Sequence, residues 1–264
     1  MSINCIEIIG LSYENTYKDF SIAFEDTKFI SFTGPNNCGK TTLIKILDGQ
    51  LPINNTILLY NKRLEEYKIT ELNNLIKVVI PKEITFIQNT IEEELYYQLP
   101  QGFTKEQKNK IIKDIAKRLN LTKKLTKSVE NLSSDEIIKT QIALAMINKP
   151  KIIVIDDLSL YISKKELSEL YNELKKYNEQ EKITIITMTT NLDNVLKTDY
   201  IYVINNSEII IEGNPKEVLE KDNIINKAGL ELPFMMDLSV KLRDYDLIKD
   251  IELDMDRMVN LLWK

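Results

Sequence analysis

Gly34-Pro35-Asn36-Asn37-Cys38-Gly39-Lys40-Thr41-Thr42 carries more information about the fold than any other stretch of the chain. A glycine, four residues, then Gly-Lys and a hydroxyl residue fit the phosphate-loop pattern. Glycines let the backbone turn tightly, so that its N–H groups face phosphate oxygens. Lys40 is placed to reach β- and γ-phosphates as a point charge, and Thr41 to offer a hydroxyl to Mg²⁺. Residues 28–33 (KFISFT) read as a short buried strand before the loop. Residues 41–47 read as the helix after it, whose N-terminus adds a positive dipole end beneath the phosphates. A glycine turn that matched by chance would lack this strand-loop-helix context.

The 264 residues suffice for one large domain, or one with an appendage. A net charge of −5 and the absence of a basic patch argue against a nucleic-acid binder, where a basic face is expected. No apolar run is long enough to span a bilayer, and MSINCIEIIG lacks a signal-peptide layout, so a cytoplasmic protein is expected. Two cysteines, Cys5 and Cys38, make no disulfide framework. Cys38 sits where a helix N-terminus lowers a thiol pKa, but nothing beside it suggests thiol chemistry, and a small loop-filling residue is the simpler reading. The chain has no histidine, which removes imidazole-based triads and imidazole metal sites together.

Residues 3–9 and 20–24 read as strands of an edge hairpin. Between them lie Tyr13 and Tyr17, each either a platform for an adenine ring or an ordinary strand-end aromatic. Residues 57–60 and 76–80 read as further strands, the second ended by Pro81. From Thr90 the pattern turns helical, and Glu92-Glu93-Glu94 reads as an acidic first turn. Residues 105–119 carry Ile111, Ile112, Ile115 and Leu119 at helix spacing. Ser133 and Glu136 make a capping box ahead of a helix over 137–147. Residues 151–157 (KIIVIDD) read as a buried parallel strand with carboxylates at its C-terminal end, where ligands of open α/β sheets gather. A helix over 167–177, a buried strand over 183–188, a hairpin around Asn206-Ser207 and a helical tail broken at Pro233 complete the pattern.

Phosphate loop, helical insert, Ser-led helix start, then a strand ending in Asp156-Asp157: over residues 1–218 this order resembles the ATP-binding subunits of ABC transporters. The Thr90-Ile91-Glu92-Glu93-Glu94-Leu95 entry is similar to the energy-coupling-factor subgroup. So is the tail around Gly229-Leu230-Glu231-Leu232-Pro233-Phe234, followed by Leu238 and Leu242. The resemblance implies an α/β phosphate-loop fold: a mixed sheet with helices, an antiparallel N-terminal hairpin region, a helical insert at about 85–148 and a helical appendage over 219–264. It implies Mg-ATP as ligand and a cytoplasmic subunit on the inner face of the cell membrane. It also implies a second ATPase as partner, a heterodimer rather than a homodimer, together with a transmembrane scaffold and a substrate-binding membrane protein. In the subgroup such a machine imports a vitamin or a metal ion.

Carried over by position, Gly34 to Thr42 form the nucleotide-binding loop, with Gly34, Pro35, Asn36, Asn37, Cys38, Gly39, Lys40, Thr41 and Thr42 around the phosphates. Thr41 and Asp156 hold the metal, Asp157 stands where the family has its catalytic glutamate, and Lys40 acts with it. Residues 132–136 (LSSDE) match the family signature, Ser133 keeping the serine that meets the partner's γ-phosphate. The departures are many. The expected glutamine falls near Pro81, with Gln88 several residues late. Ser134 and Asp135 replace two signature glycines. Ser163 stands near an expected aspartate, and Thr190 near an expected histidine.

An aspartate at 157 falls about an ångström short of a glutamate, and a misplacement of that size costs about 10²-fold in rate. The missing histidine removes a group that would stabilise charge in the transition state. Asp135 brings a carboxylate towards the partner's nucleotide; at ~4 Å and an effective dielectric near 20 two unit charges repel by about 4 kcal/mol, a ceiling for a side chain free to turn away. ATP binding with slow hydrolysis is expected. The alternative is an ABC-like pseudo-ATPase, an ATP-dependent structural or regulatory module. A DNA-repair or ribosome-type ATPase would need a coiled-coil insert or a second cassette, and neither is in the chain.

Overall fold

The computed structural model describes residues 3–53, 56–81 and 85–263. In chain order the strands are β1 (Asn4–Tyr13), β2 (Tyr17–Glu25), β3 (Phe29–Thr33), β4 (Ile57–Leu59), β5 (Lys62–Arg63), β6 (Ile76–Val79), β7 (Ile152–Ile155), β8 (Thr184–Thr189), β9 (Tyr200–Asn205) and β10 (Glu208–Gly213). The helices are α1 (Lys40–Leu47), α2 (Ile69–Leu75), α3 (Ile91–Gln98), α4 (Lys105–Arg118), α5 (Ser134–Met146), α6 (Lys164–Glu181), α7 (Pro215–Leu219), α8 (Asp222–Lys227), α9 (Phe234–Asp244) and α10 (Met255–Leu262).

Every residue of β3, β7 and β8 is buried. Strands covered on both faces need continuous apolar or β-branched sequence, and FISFT, IIVI and TIITMT supply it. They sit side by side in a six-stranded sheet of order β10-β9-β3-β8-β7-β6. Pairing is parallel from β9 through β6, and only β10 runs antiparallel, joined to β9 by the expected hairpin. Asn206 and Ser207 both take positive φ, 48° and 64°, as a two-residue turn between twisted strands requires.

Successive residues of this sheet serve two cores. Phe29, Ile153, Ile155 and Ile185 face helices α3 to α6, whereas Ile30, Phe32, Ile152, Val154, Ile186 and Met188 face α1 and the N-terminal strands. At about 1.5–3 kcal/mol per large apolar side chain, each face contributes strongly.

The N-terminal strands form the expected antiparallel hairpin, with β2 at a sheet edge, but in a sheet separate from that one. They are longer than read from sequence and form a second, antiparallel sheet of order β2-β1-β4-β5, with β1 in its interior. Buried residues recur along both strands as far as Leu11 and from Tyr17, so pairing continues past the predicted ends. Helix α6 likewise runs beyond its predicted span of 167–177 at both ends, started by the Ser163 cap.

The tail is helical, as its pattern predicts, in four short helices, α7 to α10, with Pro233 standing just before α9. Met236 and Val240 of α9 pack with Ile201 and Val203 of β9 and with Val218, Leu219 and Ile225. Ser239 then accepts a 2.8 Å bond from the Glu252 N–H, which holds the returning chain on α9. Phe234 stays exposed, while Met236 is fully buried, so the apolar tail face is divided between packing and solvent. No helix among the described residues is long and apolar enough to cross a membrane.

Candidate functional site

Residues 34–39 leave the C-terminal end of β3 and enter α1 through Gly39, whose φ of +107° suits glycine. The turn is tight in space as well as in angle. A Cβ at Gly34 would lie 2.3 Å from the Ile204 carbonyl oxygen, and one at Gly39 2.7 Å from the Tyr17 ring. Tyr17 is fully buried under the loop and donates its hydroxyl to the Gly39 carbonyl at 2.9 Å. Of the two tyrosines considered for adenine stacking, Tyr17 is therefore taken as a strut, and Tyr13 is the partly exposed one.

Lys40 is buried, and its ammonium lies across the loop, donating to the carbonyls of Gly34 at 2.7 Å and Pro35 at 2.8 Å. Cys38 Sγ lies 3.5 Å from the same ammonium, and the residue is packed among apolar neighbours, a loop-filling role. Cys5 is fully buried, and burial pushes its thiol up to about 12.

A cavity of about 630 Å³ lies over the loop. Its walls bring together Asn36, Asn37, Gly39, Lys40, Thr41 and Thr42 with Asp156, Asp157 and Thr190, from the C-terminal ends of three parallel strands. Gly34, Pro35 and Cys38 form the base of the loop rather than the cavity wall. The buried cation, the Thr41 hydroxyl and the Asp156 carboxylate on one cavity wall together suit a triphosphate with Mg²⁺, which binds through one or two carboxylates plus phosphate oxygens. Ile80 and Pro81 wall the cavity where the glutamine was expected; residues 82–84 lie outside the described ones.

Asp156 Oδ1 accepts the Asp157 N–H at 2.9 Å. Asp157 is more heavily engaged. Its Oδ1 accepts from the Ser159 N–H at 2.9 Å, and its Oδ2 from both the N–H and the hydroxyl of Thr190, at 2.8 and 3.0 Å. Burial pushes its pKa up, but these donors outweigh burial and leave it below the usual aspartate value. A carboxylate held by three donors at depressed pKa is a poor proton acceptor. Thr190 thus occupies the place beside the carboxylate where a histidine was expected.

Ser133 is apart from this cavity, at the start of α5. The predicted capping box is present: Ser133 Oγ accepts the Glu136 N–H at 3.3 Å and the Glu136 carboxylate accepts the Ser133 N–H at 2.9 Å. Asp135 does not project freely. Its Oδ1 accepts the Ser163 N–H at 3.2 Å, tying the helix start to the turn before α6. Sequence reading missed this link, the Tyr17 strut and the role of Glu94. That residue is not simply part of an acidic first turn: it is buried and accepts the N–H groups of Ile87 at 2.9 Å and Gln88 at 2.7 Å.

Comparison with known proteins agrees with this fold. A family model described as ABC transporter matches residues 17–159. The energy-coupling factor transporter ATP-binding protein EcfA1 of Mycoplasma pneumoniae is 27% identical over 274 residues, 99% of each chain. The corresponding EcfA of Enterococcus faecium is 26% identical over 93% of this chain and 90% of its own. Among solved structures, cbiO1 of Clostridium perfringens, part of the ABC transporter complex cbiONQ, shares the fold with a TM-score of 0.74 at 22% identity, covering 89% of this chain and 98% of that one. An ATP-binding cassette captured as a post-hydrolysis dimer with ADP and Pi gives a TM-score of 0.69 at 18% identity, covering 80% and 98%.

Proposed function

This chain belongs to the ABC transporter family, and from that premise we propose that it is the ATP-binding subunit of an energy-coupling-factor importer for a vitamin or metal ion. One observation carries the reading: Lys40, Thr41, Asp156, Asp157 and Thr190, drawn from three strand ends, wall a single cavity over the phosphate loop. In this reading the loop binds Mg-ATP, with Thr41 and Asp156 holding the metal. The chain acts in a face-to-face pair, each nucleotide lying between one chain's loop and the other chain's α5 start. Residues 1–218 form the nucleotide-binding domain and 219–264 an appendage. The subunit works on the inner face of the membrane with a transmembrane scaffold and a substrate-binding membrane protein.

The partner ATPase is a different chain. A pair of identical copies would carry Asp157, Thr190, Ser134 and Asp135 in both composite sites, whereas a paralogue can supply complete groups to one. Hydrolysis by this chain alone is slow, because Asp157 is held as an acceptor by Ser159 and Thr190. The test is purification from native membranes by a tag on this chain, with phosphate release followed on the isolated chain and on the assembly. Recovery of a second ATPase and a multi-helix membrane protein, with turnover in the assembly only, is the expected result. Fast turnover by the isolated chain, or no membrane partner, would overturn it.

The same Asp157 geometry favours a second reading, a pseudo-ATPase module whose nucleotide sets closure of the pair without being cleaved. It is distinguished by Lys40→Ala: in that case partner assembly weakens and transport is untouched.

A further inference from the structure

The start of α5 is acidic where a helix facing a nucleotide is expected to be neutral. Its first turn carries Asp135 and Glu136, and anions there stabilise the helix by its own dipole but repel an approaching phosphate. The structure answers each charge separately. Asp135 is turned onto the Ser163 N–H. Glu136, only 14% exposed at its side chain, is gripped by two lysines from the preceding turn: Lys127 Nζ at 2.5 Å from Oε2 and Lys124 Nζ at 3.0 Å from Oε1. Those lysines are spaced by a single tight turn, with the Lys127 N–H bonded to the Lys124 carbonyl at 2.8 Å, so both reach the same carboxylate. Lys139, the next cation along α5, is committed elsewhere, to Glu166. Two cations therefore stand against two anions at this helix start.

Glu136 also orients the serine. Its carboxylate holds the Ser133 N–H, and its own N–H is accepted by Ser133 Oγ, which leaves the hydroxyl proton of Ser133 available as a donor. We propose that Lys124 and Lys127 are positioning residues that neutralise Glu136, so that the acidic LSSDE start presents Ser133, without net repulsion, to the triphosphate bound by a partner chain. This deepens the paired-ATPase reading above and rests on it. The lysines act through Glu136 and need not touch the nucleotide themselves. They make a carboxylate tolerable where a neutral side chain would need no counter-charge.

The experiment uses the full chain carrying an affinity tag in its native cells and reads the ATP concentration, in the presence of Mg²⁺, at which a second phosphate-loop ATPase is half-maximally retained. Lys124→Gln with Lys127→Gln raises that concentration by roughly five- to tenfold, the scale of two part-exposed ion pairs. Adding Glu136→Gln to the double variant restores it, since the glutamine keeps the cap and carries no charge. Calorimetry of the isolated double variant shows the affinity of its own phosphate loop for ATP unchanged, which controls for folding. A half-saturation point unmoved in the double variant, or moved but not restored by Glu136→Gln, overturns the inference while leaving the pair intact. A wild-type chain that retains no second ATPase at any ATP concentration overturns the underlying reading and the inference with it.

Discussion

Thr190 holds Asp157 at two points, its backbone N–H and its hydroxyl both donating to Oδ2, at 2.8 and 3.0 Å. With the Ser159 N–H on Oδ1, the carboxylate is a fixed acceptor rather than a poised base. A group that takes no proton in the reaction can lose its charge at little cost in turnover. Asp157→Asn in the assembled ATPase pair should leave hydrolysis within about twofold of wild type. A loss of about a hundredfold or more, measured by phosphate release, would show that this carboxylate takes part in cleavage.

Lys40 lies across the loop, bonded to the Gly34 and Pro35 carbonyls. Binding a triphosphate exchanges these neutral acceptors for charged ones, and charge-assisted bonds are the stronger class. Lys40→Met should weaken ATP binding by roughly 10- to 100-fold, from about 1.5–3 kcal/mol for a hydrogen bond to a charged group. Titration calorimetry with Mg-ATP measures it directly, and an unchanged affinity would mean that the loop does not use this lysine.

Gly34 is required by space rather than by backbone angle. A Cβ there would meet the Ile204 carbonyl oxygen at 2.3 Å and Cys38 Sγ at 2.7 Å, so β9 or the loop must move. Gly34→Ala should cost about 1–3 kcal/mol, the range for overpacking a filled interior. Gly102→Ala is the control, because nothing lies within 4 Å of its added Cβ. Thermal unfolding should show a fall of several degrees for the first and almost none for the second, at about 2–4 °C per kcal/mol for a chain of this size. Equal melting temperatures would refute the close approach.

How much of this was legible beforehand follows from how far apart the partners lie in sequence. The phosphate loop is a local pattern: nine adjacent residues with a strand before and a helix after. The buried strands announce themselves because IIVI and TIITMT are apolar or β-branched throughout. The Ser133–Glu136 cap joins residues only three apart, so its pattern is visible in the sequence. By contrast, Tyr17 reaches Gly39 across 22 residues, and Asp135 reaches Ser163 across 28. No periodicity encodes such pairs. The division into two sheets was hidden for a related reason, since β1 alternates as an edge strand does and yet pairs on both sides. In the tail, residues 245–254 have apolar positions at Leu247, Ile248, Ile251 and Leu253. These pass for a helical continuation, whereas Asp246 takes a φ of 59° after α9 and the Ser239–Glu252 bond turns the chain back.

The Glu136 carboxylate gives the fold a pH signature with a definite sign. Hydrogen bonding by Lys127, then by the Ser133 N–H, lowers its pKa from 4.5 to about 2 in the folded chain. A carboxylate depressed on folding contributes stability that is fully present above its unfolded pKa and is lost as pH falls through its folded value. The contribution should therefore be complete above about pH 4.5 and decline towards pH 2. Its size at neutral pH is about 1 kcal/mol, because the lysines are part-exposed and screened. Urea unfolding of wild type and Glu136→Gln, run in parallel from pH 6 to pH 2.5 at fixed salt, isolates it. Every other carboxylate, including the depressed Asp157, titrates in both proteins and cancels in the difference. Wild type should lead at pH 6, and the two stability curves should converge on acidification. Curves that stay parallel would mean that the lysine grip on Glu136 does not persist in solution, and the neutral helix start would then have to come from somewhere else.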